Sequence, residues 1–120
     1  MCRWVIIIME KALIQYSHWL KEILAGTLRD ELVEIKNNPE EIYDRFCREI
    51  SFGTSGLRGK MGAGTNRINS VVVKRATRGI AQYLKETQKR PAMVLSYDTR
   101  LHSKEFAEIT AQTLKSCRCV

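Results

Sequence analysis

Phe52-Gly53-Thr54-Ser55-Gly56-Leu57-Arg58-Gly59 gathers three glycines, two hydroxyls and one arginine into eight residues. Glycine admits positive φ and lets backbone approach a ligand closely. Hydroxyls and backbone N–H groups can then line an anion pocket. An arginine fork can grip a phosphate through two parallel hydrogen bonds. The chemistry read from these residues is phosphate binding. The same composition also fits a glycine-rich turn with one solvated arginine, its Thr54 and Ser55 hydroxyls bonded to their own backbone.

No other group of residues offers a comparable chemistry. The four cysteines stand at 2, 47, 117 and 119, and Cys117-Arg118-Cys119 is too tight for a C-x-x-C metal knuckle. His18 and His102 are isolated. The expectation is therefore no metal within this chain and free thiols in a reducing, cytoplasmic setting. Charge is uneven. Residues 1–50 hold seven Lys/Arg against nine Asp/Glu, and residues 51–120 hold thirteen against four. A basic second half is the usual mark of an anionic partner, nucleic acid first among them. Yet Lys74, Arg75, Arg78, Lys85, Lys89 and Arg90 are spread along helical segments with no aromatic platform between them. Solvated helix faces explain most of that charge.

Helices and one strand must position the loop. Apolar positions Leu13, Ile14, Trp19, Leu20, Ile23 and Leu24 predict a helix over 10–25 that stops at Gly26. Thr27 caps the next, with Asp30 and Glu31 in its first turn, running to about Lys36. Asn38 caps a third that opens on Pro39 and spans 39–48. Residues 53–69 read as loop or irregular strand. A helix over 70–87 turns Val72, Ala76, Ile80 and Tyr83/Leu84 inward. Ala92-Met93-Val94-Leu95-Ser96-Tyr97 is an apolar run of strand length, as in a buried parallel strand. Asp98, Thr99 and Arg100 follow at its carboxyl end, where open α/β sheets bind ligands. Ser103 caps a last helix, 103–115, with Phe106, Ile109, Thr110 and Leu114 inward. The run Trp4–Met9 is far short of the ~20 residues of a membrane span and has no cleavage-like site; residues 1–8 read as an accessory extension, with Met9 as an alternative start.

FGTSGLRG, then Gly62-Ala63-Gly64-Thr65-Asn66-Arg67-Ile68-Asn69 and Ser96-Tyr97-Asp98-Thr99-Arg100, resembles the opening domain of the α-D-phosphohexomutases, the phosphoglucomutases and phosphomannomutases. Tyr16-Ser17-His18-Trp19-Leu20 and Glu40–Phe46 resemble the phosphoglucomutase/phosphopentomutase branch. The likeness runs from about Met9 to Leu114. It implies an α/β class: an incomplete α/β/α domain I over 51–120, preceded by a helical segment over 1–50. It implies an intramolecular phosphotransferase acting on hexose or pentose phosphates. Arg58 would face the phosphoserine or the bisphosphorylated sugar, with Thr54 and Ser55 shaping the same pocket and Arg100 nearby. Arg100 also has the alternative of pairing with Asp98 to orient its loop. Arg67 is expected in a structural ion pair, and His102 in a loop.

The family's serine loop, roughly Thr-(Ala/Gly)-Ser-His-Asn-Pro, and its magnesium loop, Asp-Gly-Asp-x-Asp, are not among these 120 residues. Magnesium is implied for the full-length family and no cofactor for this chain. The cysteine-rich tail from Lys115 also departs from the resemblance and reads as a shifted frame or altered splice. Three readings follow: part of a mutase domain, inactive alone; a small basic module binding phosphate-bearing ligands or nucleic acid; or a truncated product without function.

Overall fold

The computed structural model describes residues 3–54 and 56–118, which divide into two compact units, 1–69 and 70–120. No described helix is long and apolar enough to cross a membrane.

The first unit opens with α1 (Arg3–Glu22), α2 (Thr27–Glu34) and α3 (Pro39–Phe46). The apolar run Trp4–Met9 lies in the first two turns of α1. Its β-branched residues continue the helix without a break. Ala12, Tyr16 and Trp19, at steps of four and three, form the buried stripe, while Leu13 and Ile14 are exposed. α1 stops at Glu22, four residues before Gly26. Arg29 reaches back to the Leu20 and Ile23 carbonyls, so the helix end is satisfied by a side chain. Gly26, at φ +100°, precedes α2 instead, and Thr27 is a helical residue and not the cap. Of the two expected acids only Asp30 lies in the first turn.

Local chemistry sets the start of α3. Pro39 occupies the first turn, and the Asn38 side chain accepts the Glu41 N–H at 3.2 Å. The helix then buries Ile42 and Phe46. The Phe46 ring meets Tyr16 and Trp19 edge-on, with centroids at 5.8 and 5.4 Å. The Tyr16 hydroxyl donates to the Leu32 carbonyl at 2.5 Å, which ties α1 to α2. Two short antiparallel strands follow, β1 (Phe52–Gly53) and β2 (Gly56–Leu57), with Phe52 opposite Leu57 and Gly53 opposite Gly56.

The second unit packs α4 (Ser70–Thr87) on α5 (Ser103–Ser116). Both helices fall where the sequence places them. The inward stripe of α4 is rotated, however. Val72, Thr77 and Ala81 are buried, Ala76, Ile80 and Leu84 are half-buried, and Tyr83 is exposed. Thr77 can be buried because its hydroxyl donates to the Val73 carbonyl at 2.8 Å. The small Ala81 meets Leu114 of α5 beside Cys117. On α5, Leu114 is buried as expected with Thr113 beside it, and Phe106, Ile109 and Thr110 are half-buried. His102, at φ +64°, holds the cap position expected for Ser103. The Ser103 hydroxyl accepts the Asp98 N–H at 3.3 Å.

The expected buried parallel strand at 92–97 is not formed. These residues lie in irregular chain and all are exposed. A strand exists by pairing, and among the described residues of this unit no other strand lies beside it. The α/β expectation is thus met by helices and one two-stranded hairpin, without a parallel sheet.

Candidate phosphate-binding loop

β1 and β2 place the glycine-rich turn and present Arg58 directly after Leu57. Gly56 sits at φ +99° with no atom within 4 Å of where a Cβ would be, so its backbone is open to approach. Arg58 is exposed, and among the described residues its guanidinium makes no ion pair or hydrogen bond. Thr54 is exposed at the turn, with no hydrogen bond from its hydroxyl among the described residues. Ser55 lies outside the described residues. Arg100 belongs to the second unit, where its Nε pairs with Asp98 Oδ2 at 3.1 Å and both side chains are exposed. The Asp98 carboxyl also accepts the Arg100 N–H at 3.0 Å, which holds it below the usual carboxylate range. His102 stands in the loop before α5, 3.0 Å from Glu105.

Two other arginines of this unit, Arg45 and Arg67, are engaged by carboxylates. Arg45 donates to Glu41 and Glu31 at 2.8 Å each and to the Ala63 carbonyl at 3.1 Å. Glu31 also accepts the Ala63 N–H at 2.9 Å. Arg67 is buried against Asp44, with a 3.0 Å bond to the Asn66 carbonyl. The ion pair expected for Arg67 is therefore present. Around these pairs, Thr65 donates to the Arg48 carbonyl, and the Asn69 amide donates to Gly62 and Gly64. The Asn66 N–H donates to Arg45 O at 2.9 Å. Residues 62–69 are thus fastened to α2 and α3 by polar bonds, and they anchor the turn that carries Arg58.

Sequence reasoning missed Glu31 and Arg45. Glu41 and Arg45 stand four apart on α3, a spacing that marks a helical ion pair. Nothing local marks Glu31, whose partners are brought together only by the fold.

Electrostatics give this anchor a pH dependence. Burial pushes the Glu31 carboxyl up, but the Ala63 N–H, the Arg45 hydrogen bond and the nearby charges of Arg45 and Arg67 outweigh it. The net result is a depressed value. The Arg67 hydrogen bond likewise holds Asp44 down. A carboxyl depressed in the folded state stabilises fully above its unfolded pKa, ~4. That stabilisation is lost as pH falls through the folded value. The melting temperature of the first unit should therefore be flat from pH 7 to about 5 and drop below about 4. Glu31→Gln should show a shallower acid limb, and an identical limb would exclude Glu31 as its source. Half-exposure of Asp44 keeps its share small.

Magnesium, implied by the resemblance, needs converging carboxylates. Among the described residues no three His, Cys, Asp or Glu side chains gather as a metal would require.

Residues 49–120 match the family model of the phosphoglucomutase/phosphomannomutase alpha/beta/alpha domain I. The chain is 45% identical over 71 residues to a phosphoglucomutase of Staphylococcus haemolyticus, an overlap covering 59% of this chain and 13% of that protein. It is 38% identical over 98 residues to a phosphoribomutase of Saccharomyces cerevisiae, covering 79% and 16%. To a phosphoglucomutase of Staphylococcus aureus it is 41% identical over 97 residues, covering 78% and 18%. The chain thus spans less than a fifth of the length of these relatives. No solved structure gives a significant match.

Proposed function

The chain belongs to the phosphoglucomutase/phosphomannomutase family, and from that premise we propose that it carries the phosphate-gripping hairpin of a phosphosugar mutase and binds a hexose or pentose phosphate without turning it over. One observation carries this reading. Arg58 follows the glycine-rich hairpin, exposed and without an ion pair among the described residues, while Arg45 and Arg67 of the same unit are neutralised by carboxylates. A guanidinium already held by a carboxylate must give up that partner before it can take a phosphate. Arg58 keeps all five donors in their planar fork. The open backbone at Gly56 admits the ligand's oxygens next to the exposed Thr54. Arg100, paired with Asp98, acts mainly to orient its own loop.

Binding falls well short of catalysis. An arginine donor contributes about 1.5–3 kcal/mol through hydrogen bonds to a charged partner. A rate enhancement of about a million asks for at least about 8 kcal/mol. The serine that carries the phosphoryl group in this family has no counterpart among these 120 residues. No residue of this chain is assigned a catalytic role.

Thermal melting of the purified chain tests the proposal. Glucose 1-phosphate or ribose 5-phosphate should raise the melting temperature of the first unit, as any ligand of the folded form must. Glucose and ribose should not. Equal shifts with the unphosphorylated sugars would refute phosphate recognition, and product formation would refute the absence of turnover.

A further inference from the structure

We propose that Lys60 is the charge-selecting partner of Arg58, so that the hairpin prefers a dianionic phosphate monoester to a monoanion of the same shape; this rests on the phosphate reading of Arg58 and adds Lys60 to it. The backbone sets both cations on one face. Residues 58–60 leave β2 without a turn or a helix, and Met61 then bridges Ile68 in parallel. Around that bridge the Ile68 N–H donates to the Lys60 carbonyl at 2.8 Å, and the Gly62 N–H donates to the Ile68 carbonyl at 3.2 Å. In extended chain, successive side chains alternate between faces and residues two apart share one. The face at Gly59 is already filled. A Cβ there would run into the Ile50 side chain, with Ile68 at 3.8 Å. Arg58 and Lys60 therefore leave from the opposite face, their Cα atoms about 7 Å apart. Both are exposed.

Lys60 keeps its charge available. Among the described residues its side chain makes no hydrogen bond and no ion pair. Its charge is felt at Asp44, but that carboxylate is held by Arg67. The two cations read different properties of a ligand. The guanidinium fork of Arg58 fixes the direction of two oxygens, whereas the Lys60 ammonium is a compact point charge on a flexible stem. A phosphate monoester carries its second negative charge above a pKa of about 6. A sulfate monoester presents the same tetrahedral oxygens with one charge. Arg58 can grip either group. The attraction that Lys60 adds doubles when the ligand's charge doubles.

Calorimetric titration of the whole chain with glucose 6-phosphate and with glucose 6-sulfate, at pH 7.5 and low ionic strength, tests this. The chain should bind the phosphate more tightly than the sulfate. Lys60→Met keeps an apolar stem without the charge and should narrow that preference about two- to fivefold, the span of one unit-charge attraction at an exposed site. Lys60→Arg should retain the preference. The altered side chain is exposed and the Lys60 carbonyl keeps its bond to Ile68, so melting temperatures should match the parent's. Arg58→Ala should weaken both ligands. An undiminished preference in Lys60→Met overturns the role of Lys60 while the Arg58 reading stands. Equal affinity of the parent chain for the two ligands does the same. Binding of neither ligand, or binding that ignores Arg58→Ala, overturns the phosphate reading and this proposal with it.

Discussion

Phe46→Ala should unfold the first unit or leave it marginal. The Phe46 ring is buried at the junction of Tyr16 and Trp19, the two aromatics through which α1 meets α3. Truncating a buried phenylalanine costs about 3–5 kcal/mol, the sum of lost transfer energy and the cavity left behind. Small domains have total stabilities at the low end of ~5–15 kcal/mol. Removing that much consumes most of what a unit of this size holds. The expected result is loss of the cooperative urea transition followed by circular dichroism. Phe46→Leu, which keeps most of the volume, should retain it. A transition of unchanged midpoint in Phe46→Ala would show that this aromatic junction does not hold the helices together.

Gly64→Ala should destabilise the same unit by about 3 kcal/mol. Gly64 sits at φ +131°, a conformation that side-chain-bearing residues rarely adopt. A Cβ there would also lie 2.6 Å from the Arg45 carbonyl oxygen and 2.8 Å from its Cβ. These are atoms at the end of α3 that cannot swing aside as a side-chain tip would. Strain at φ and overpacking against backbone add together. The displacement would reach the Asn66 N–H bond to the same carbonyl, and with it the footing of the Arg58 hairpin. Chemical denaturation should show a lowered midpoint with the second unit's transition unmoved. An unshifted midpoint would mean that residues 62–69 rearrange freely over α3 and do not anchor the hairpin.

Much of this fold is legible locally. Asn38-Pro39 marks the start of α3 because a cap and a preset φ act within one turn. The bounds of α4 and α5 follow from apolar periodicity between polar connections. What the sequence hides is what depends on partners. Residues 92–97 have strand composition, but a strand needs a neighbour to accept its hydrogen bonds, and none is described in this unit. The inward face of α4 shifts because Thr77 satisfies its own hydroxyl within the helix. At the candidate site, the glycines and Arg58 announce themselves as a motif. The Glu31–Arg45–Ala63 anchor does not, since its members are far apart in the chain. Ion pairing of Arg67 was readable as the ordinary fate of an arginine among carboxylates. The freedom of Arg58 from such a pair was not, because only coordinates reveal whether a carboxylate reaches a given guanidinium.

The most direct test of the central claim is nuclear magnetic resonance of the arginine side-chain Nε–H groups during titration with glucose 1-phosphate, with Arg58 assigned through Arg58→Lys. The Arg58 resonance should move in a saturable manner, with Arg45 and Arg67 fixed, and Arg58→Ala should weaken binding about 10- to 100-fold, the range that one charged hydrogen-bond donor commands. A titration that leaves the Arg58 signal still, or that proceeds with equal affinity in Arg58→Ala, would contradict the claim.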